Sequence, residues 1–224
     1  MDRDTLPDVP STPQPAIVDL LGALAYGELS AFDRLADDAR MAPTLVGRAQ
    51  MSAMAAAEFR DYARLAERLQ SLDVEPAAAM EPFVAALETY HSLTSPSTWL
   101  ESVVKAYVGD GMAADFYREV AEFVDPDTRS LIHSVLSDGG RAEFALREVH
   151  SALTTEPSVR GRLALWARRL VGEAISQTQH VLADRDSLMQ LLVGGSGELA
   201  SVAGLIARIT VRHDERMTKL GLSG

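Results

Sequence analysis

The sequence predicts an all-α protein, with two helical hairpins joined by one long crossover and two further helices after them. Three observations carry this expectation. Ala, Leu, Arg and Glu dominate the composition, whereas β-branched and aromatic residues are thin, a profile that favours helices over strands. Apolar residues recur at three- and four-residue steps, as in Ile17, Leu21, Leu24, Ala31 and Leu35, the spacing that lines one face of an α-helix. The connections run short, long, short, which joins two hairpins through a crossover in place of a simple up-down series.

The opening stretch MDRDTLPDVPSTPQPA holds four prolines and three aspartates with almost nothing apolar to bury. Residues 1–15 therefore read as a disordered lead-in, and no apolar run follows a basic start as a signal peptide requires. Helix one is expected over 15–39 and ends in DDARMAP. Helix two spans 44–72, opened by Pro43 and closed by LDVEP. The crossover contains a shorter helix, 77–91, that stops at TSPS. Ser97 is the expected N-cap of helix three, which runs to 123. The turn VDPDT leads to helix four, 128–153, with Asp127 as its cap. TTEPS starts helix five, 159–192. GGSG then breaks the chain before helix six, 198–220. The bundle is thus expected over 16–155, with a C-terminal helical extension, 156–224, packed on it.

At 224 residues and 47% hydrophobic content, the chain can bury a full core. Its formal charge of −11 argues against a general nucleic-acid-binding surface. There is no cysteine, which excludes disulfides, thiolate metal sites and thiol catalysis. No uncharged apolar run reaches the ~18 residues of a membrane span, so a soluble, cytoplasmic protein is expected, without a membrane partner.

Three acids interrupt the apolar stripes of three different helices. Glu28 breaks the stripe of helix one. Glu58 breaks Met51, Met54, Leu65 and Leu69, and Asp110 breaks Leu100, Val103, Tyr107, Ala114 and Tyr117. An ionised carboxylate in a core without a partner is strongly unfavourable, so convergence implies a shared cation, a shared proton or buried Arg and Lys partners. An internal repeat supports convergence: Tyr26-Gly27-Glu28 recurs as Val108-Gly109-Asp110 at an offset of 82. Helix two adds Asp61, three residues after Glu58. Helix four offers Asp138-Gly139-Gly140-Arg141, or the segment from Gly140 to Glu143 that lies at the repeat offset from Glu58 to Asp61.

The stretches AYGELSAFDRLADDA, MAAAEFRDYARL and KAYVGDGMAADFYREVAEF resemble ferritin-like proteins grouped with the tRNA-modifying diiron hydroxylase, tRNA-(ms2io6A)-hydroxylase. The resemblance covers residues 16–153. It implies a ferritin-like four-helix bundle with a long helix 2–3 crossover and an oxygen-dependent hydroxylase built on two irons, or manganese, with tRNA as a partner. In such carboxylate proteins two helices each supply a Glu and the other two each supply Glu-x-x-His. The implied metal ligands here are Glu28, Glu58, Asp61 and Asp110, completed by Asp138 or Glu143. The pattern departs at Asp61 and Arg141, which stand where histidines belong. Four arrangements remain open: a histidine-free metal pair; a single metal on Glu28, Glu58, Asp61 and another acid; a metal-free scaffold in which Arg141 replaces the metal charge; or acids turned to solvent. In the metal-free form the bundle acts as a binding or dimeric interaction protein.

Other features carry less. Glu173, Gln177 and His180 continue a helix-five face, as a pocket lining or as a solvated edge. Arg160, Arg162, Arg168 and Arg169, with Arg208, Arg212, His213 and Arg216, form either a strip for RNA phosphates or an ordinary charged face. The Ala-rich run from Met51 to Ala57 suits a homodimer seam or close packing within the bundle. Gly139-Gly140 inside helix four suggests a kink beside the acids. No Ser-His-Asp arrangement or nucleotide fingerprint is present.

Overall fold

The computed structural model describes residues 14–137, 140–194 and 200–222. Among them the chain forms nine α-helices and no strand. These are α1 (Gln14–Asp38), α2 (Leu45–Ser71), α3 (Pro76–Leu93), α4 (Trp99–Ala121), α5 (Pro126–Val135), α6 (Arg141–Thr155), α7 (Val159–Asp184), α8 (Asp186–Gly194) and α9 (Ala200–Leu220). The expected lead-in, apart from its last residues, and most of the GGSG break lie outside the described residues.

Local chemistry sets the helix ends, and it corrects several expected boundaries. Thr44 caps α2 by accepting from Gly47 N at 3.0 Å. Asp73, at φ 59, closes it, with Val74 N bonding back to Leu69 O. Thr98, not Ser97, caps α4: its hydroxyl accepts from Glu101 N, and the Glu101 carboxylate accepts in return from Ser97 N at 2.8 Å. Such reciprocal bonds need a Glu three residues beyond the cap, which Thr98 has. Likewise Asp125, not Asp127, caps α5 by accepting from Thr128 N.

Expected helix four is two helices, α5 and α6. Expected helix five is broken at Arg185, whose extended backbone (φ −130, ψ 86) separates α7 from α8. The α5–α6 break ends at Gly140, held at φ 90. That left-handed conformation is open to glycine and strained for residues with a Cβ.

Helices α1 and α2 form the first hairpin, and α4 packs with α5 and α6 as the second. The crossover helix α3 lies against both α1 and α7. A Cβ on Gly22 would collide with the Ala79 carbonyl, so α1 and α3 approach here more closely than a side chain allows. Helix α4 is central, touching α1, α6, α7 and α9. Leu20, Leu21, Leu24, Met51, Leu65 and Leu69 from the first hairpin are fully buried, as are Phe83, Ile132, Leu163 and Leu170. Each such side chain contributes roughly 1.5–3 kcal/mol on burial. By length and composition α1 could cross a membrane, but its apolar face is packed inside the bundle.

Of the Ala-rich run, Met51 and Ala55 are buried in the core while Ala53 and Ala56 face outward.

Candidate functional site: a carboxylate–arginine cluster beside an apolar cavity

Glu28 from α1, Glu58 from α2 and Asp110 from α4 converge in the middle of the bundle. The fourth helix, α6, contributes Arg141. Its Nη1 lies 2.7 Å from Asp110 Oδ2 and 2.9 Å from Glu58 Oε1. Glu58 is 2% exposed and Arg141 8%, so this ion pair is removed from water. Asp110 is less enclosed, with 38% of its side chain exposed. Gly140 places Arg141 at the first turn of α6, turning the chain where a regular helix would have carried the guanidinium elsewhere.

Glu28 does not touch the arginine in this way. It hydrogen-bonds Glu58. Burial, then that bond and the Glu58 charge, push the Glu28 carboxyl well above its ordinary 4.5. Burial also raises Glu58, against the lowering effects of the Glu28 hydrogen bond and Arg141. Burial works to lower Arg141, but the Asp110 and Glu58 charges outweigh it and hold the guanidinium protonated. One guanidinium and one shared proton therefore neutralise two of the three carboxyls.

The other expected ligands are elsewhere. Asp61 accepts from Arg64 at 3.1 Å, near enough to Glu58 for its charge to be felt there. Glu143 is on the surface, 83% exposed, and pairs with Arg147. Asp138 lies outside the described residues. Arg60, the other arginine considered as a partner for the acids, is exposed.

These donors do not fit a carboxylate-bridged metal pair. Two of the three converging carboxyls already engage a guanidinium, and a cation beside it would meet like charge. No imidazole completes the set, and among the described residues no group of three or more His, Asp or Glu is arranged to hold a metal.

Next to the cluster lies a cavity of about 270 Å³. Leu20, Leu24, Phe83, Leu87, Phe116, Val181, Leu188, Leu205 and Ile206 are among its walls, and Glu28, Asp110 and Arg141 reach it from one side. Gln177 lines it, whereas His180 on the same helix is exposed.

At one end are residues that sequence reasoning missed. Ser30 Oγ lies 3.2 Å from His91 Nε2. Lys105 Nζ donates to the Thr94 carbonyl at 2.8 Å and sits 5.4 Å from the centre of the Tyr90 ring. Arg34 donates to Glu88 at 2.6 Å. Burial lowers His91 to about 3 and Lys105 to about 8, and raises Asp38 to about 6. A signal did exist: Lys105 interrupts WLESVVKAYVG as the acids interrupt their stripes, and Val103, Val104 and Val108 around it are buried.

The helix-six arginines pair with acids of α4. Arg208 and Arg212 bind Glu119 at 2.9 and 2.8 Å, and Arg216 pairs with Asp115. The first of these bonds is what chiefly lowers Glu119 below its ordinary value.

Two antiparallel hairpins, a long crossover and inward carboxyls from three bundle helices define a ferritin-like protein. The family model described as ferritin-like domain, actinomycetes, matches residues 13–195, and the chain belongs to that family. The match runs through α7 and α8. No curated protein matches the chain.

Proposed function

We propose that this protein is a metal-free ferritin-like bundle that works as a binding scaffold for a small apolar molecule. The observation that carries this is Arg141: its guanidinium joins Glu58 to Asp110, supplying from the chain the positive charge that a metal pair would supply. The cavity beside it gives the scaffold something to hold. Pockets for small molecules are concave, chiefly apolar and furnished with a few polar groups, with volumes of roughly 300–1,000 Å³, and this cavity has that character near the lower limit.

The competing proposal, an iron- or manganese-dependent hydroxylase of the tRNA-modifying kind, asks Glu28, Glu58, Asp61 and Asp110 to share metal ions. Arg141 and Arg64 hold three of these four. A tRNA partner has little support from α9, whose arginines engage the acids of α4.

Elemental analysis of untagged protein, expressed with iron and manganese supplements, tests the choice. Substoichiometric metal, with none taken up on titration, is expected. Near two equivalents of iron overturns the metal-free scaffold. Arg141→His sharpens the test, because gain of iron binding by that variant alone identifies the guanidinium as what excludes the cation.

A further inference from the structure

The cavity has two unlike ends. Its α1 wall runs from Leu20 to Asp38, about 27 Å along the helix axis at 1.5 Å per residue. Leu20, Leu188, Val202 and Ile206 belong to the apolar end; Arg34, Asp38, His91 and Lys105 to the polar one.

The polar end is short of partners. Lys105 is 7% exposed and its ammonium donates to a neutral carbonyl; the charges of Asp38 and Glu88 reach it, but among the described residues neither carboxylate forms an ion pair with it within 4.0 Å. Arg34 uses one terminal nitrogen on Glu88 and leaves Nε buried without a partner. The Tyr90 hydroxyl and His91 Nδ1 are likewise buried and unpartnered. Each unmet buried group costs about 1–3 kcal/mol. Three such side chains, together with Lys105, line one end of one cavity, a set of polar groups suited to recognising a ligand's head group.

We propose that the cavity binds one medium-chain carboxylate, a free fatty acid. Its carboxylate lies between Lys105 and Arg34, and its chain runs towards α8 and α9. This rests on the scaffold function proposed above and names its ligand. The anionic head follows from a buried ammonium whose direct acceptor is a neutral carbonyl, the Asp38 charge reaching it only at longer range. The single chain follows from dimensions: one leaflet of a bilayer core, about 15 Å deep, measures a long acyl chain, and the cavity's long wall accommodates a shorter one. A cavity of about 270 Å³ leaves no room for a second chain or a phospholipid head.

The test uses full-length, delipidated protein titrated calorimetrically with decanoate and with decan-1-ol, which shares the chain but not the charge. Expected is one saturable site that prefers the acid. Lys105→Met should weaken the acid by about tenfold or more, the order of a lost charge-assisted contact, and leave the alcohol nearly unchanged. Lys105→Arg should retain acid binding. Ala174→Phe, which fills the cavity from α7, should weaken both ligands. Thermal melts establish that each variant is folded. Equal binding of acid and alcohol by the wild type, or equal loss of both in folded Lys105→Met, overturns the carboxylate head and leaves the scaffold standing. Failure of folded wild-type protein to bind either ligand overturns the fatty-acid site, while metal content separately decides whether the centre is metal-free.

Discussion

Arg141 donates through a single nitrogen to two carboxylates on two other helices, so its removal unbalances both α2 and α4. Breaking a buried ion pair by deleting one partner costs roughly 3–5 kcal/mol, and the partial exposure of Asp110 places this case near the lower figure. Arg141→Ala is therefore expected to lower the denaturation midpoint by an amount matching that loss; an unchanged midpoint would show that the carboxylates do not depend on the guanidinium. Glu28 behaves differently because it is the protonated member. Burial lifts Glu28 and Glu58 above their ordinary 4.5, so the folded chain keeps protons that the unfolded chain releases. Their contribution to stability is full below about pH 4.5 and declines as pH rises through the raised folded values. Glu28→Gln keeps a donor for Glu58 without the titration. It should change stability at neutral pH by no more than about 1 kcal/mol and flatten this pH dependence, as denaturant titrations from pH 4 to 8 would reveal.

Helices are positioned here by a few turns whose backbone conformation admits little choice. Gly140, at φ 90, sets the start of α6 and with it the direction of Arg141. Gly140→Ala meets no crowding, so its whole cost is conformational, about 1–2 kcal/mol for a left-handed residue with a Cβ. Gly172 offers the opposite case: it lies inside α7, is exposed, and has open space where a Cβ would go. Gly172→Ala should stabilise by up to about 1 kcal/mol. Thermal melts of both variants should shift in opposite directions, and two shifts of the same sign would remove Gly140 as the determinant of the α6 start. The break that ends at Gly140 was legible in sequence as a suspected kink at the paired glycines. The break at Arg185 was not, because neither glycine nor proline marks it.

Across the molecule, α9 completes both the charge balance and the cavity. Arg208, Arg212 and Arg216 meet Glu119 and Asp115 of α4, and Leu205, Ile206 and Ile209 close the cavity's far wall. A chain ending at residue 195 should melt at a lower temperature and bind a dye for exposed apolar surface. Unchanged melting and no dye binding would show that α9 does not seal the bundle.

The sequence by itself determined the all-α class, the hairpin–crossover–hairpin order and the burial of Glu28 and Glu58, with Asp110 converging on them though only half-buried. All of these are written in local periodicity: a polar residue on an apolar stripe is recognisable without knowing its neighbours. Only the tertiary structure decided what each buried charge faces. Asp61 has the ligand spacing yet turns to Arg64, and Glu143 stands at the repeat position yet meets solvent, because each residue advances the helix by about 100°, leaving Asp61 short of a full turn from Glu58 and Glu143 on the face opposite Arg141. The meeting of His91, Lys105, Arg34 and Tyr90 was invisible for the same reason. Those four come from three helices, and their proximity is a property of packing, whereas periodicity reports only the face on which each residue lies.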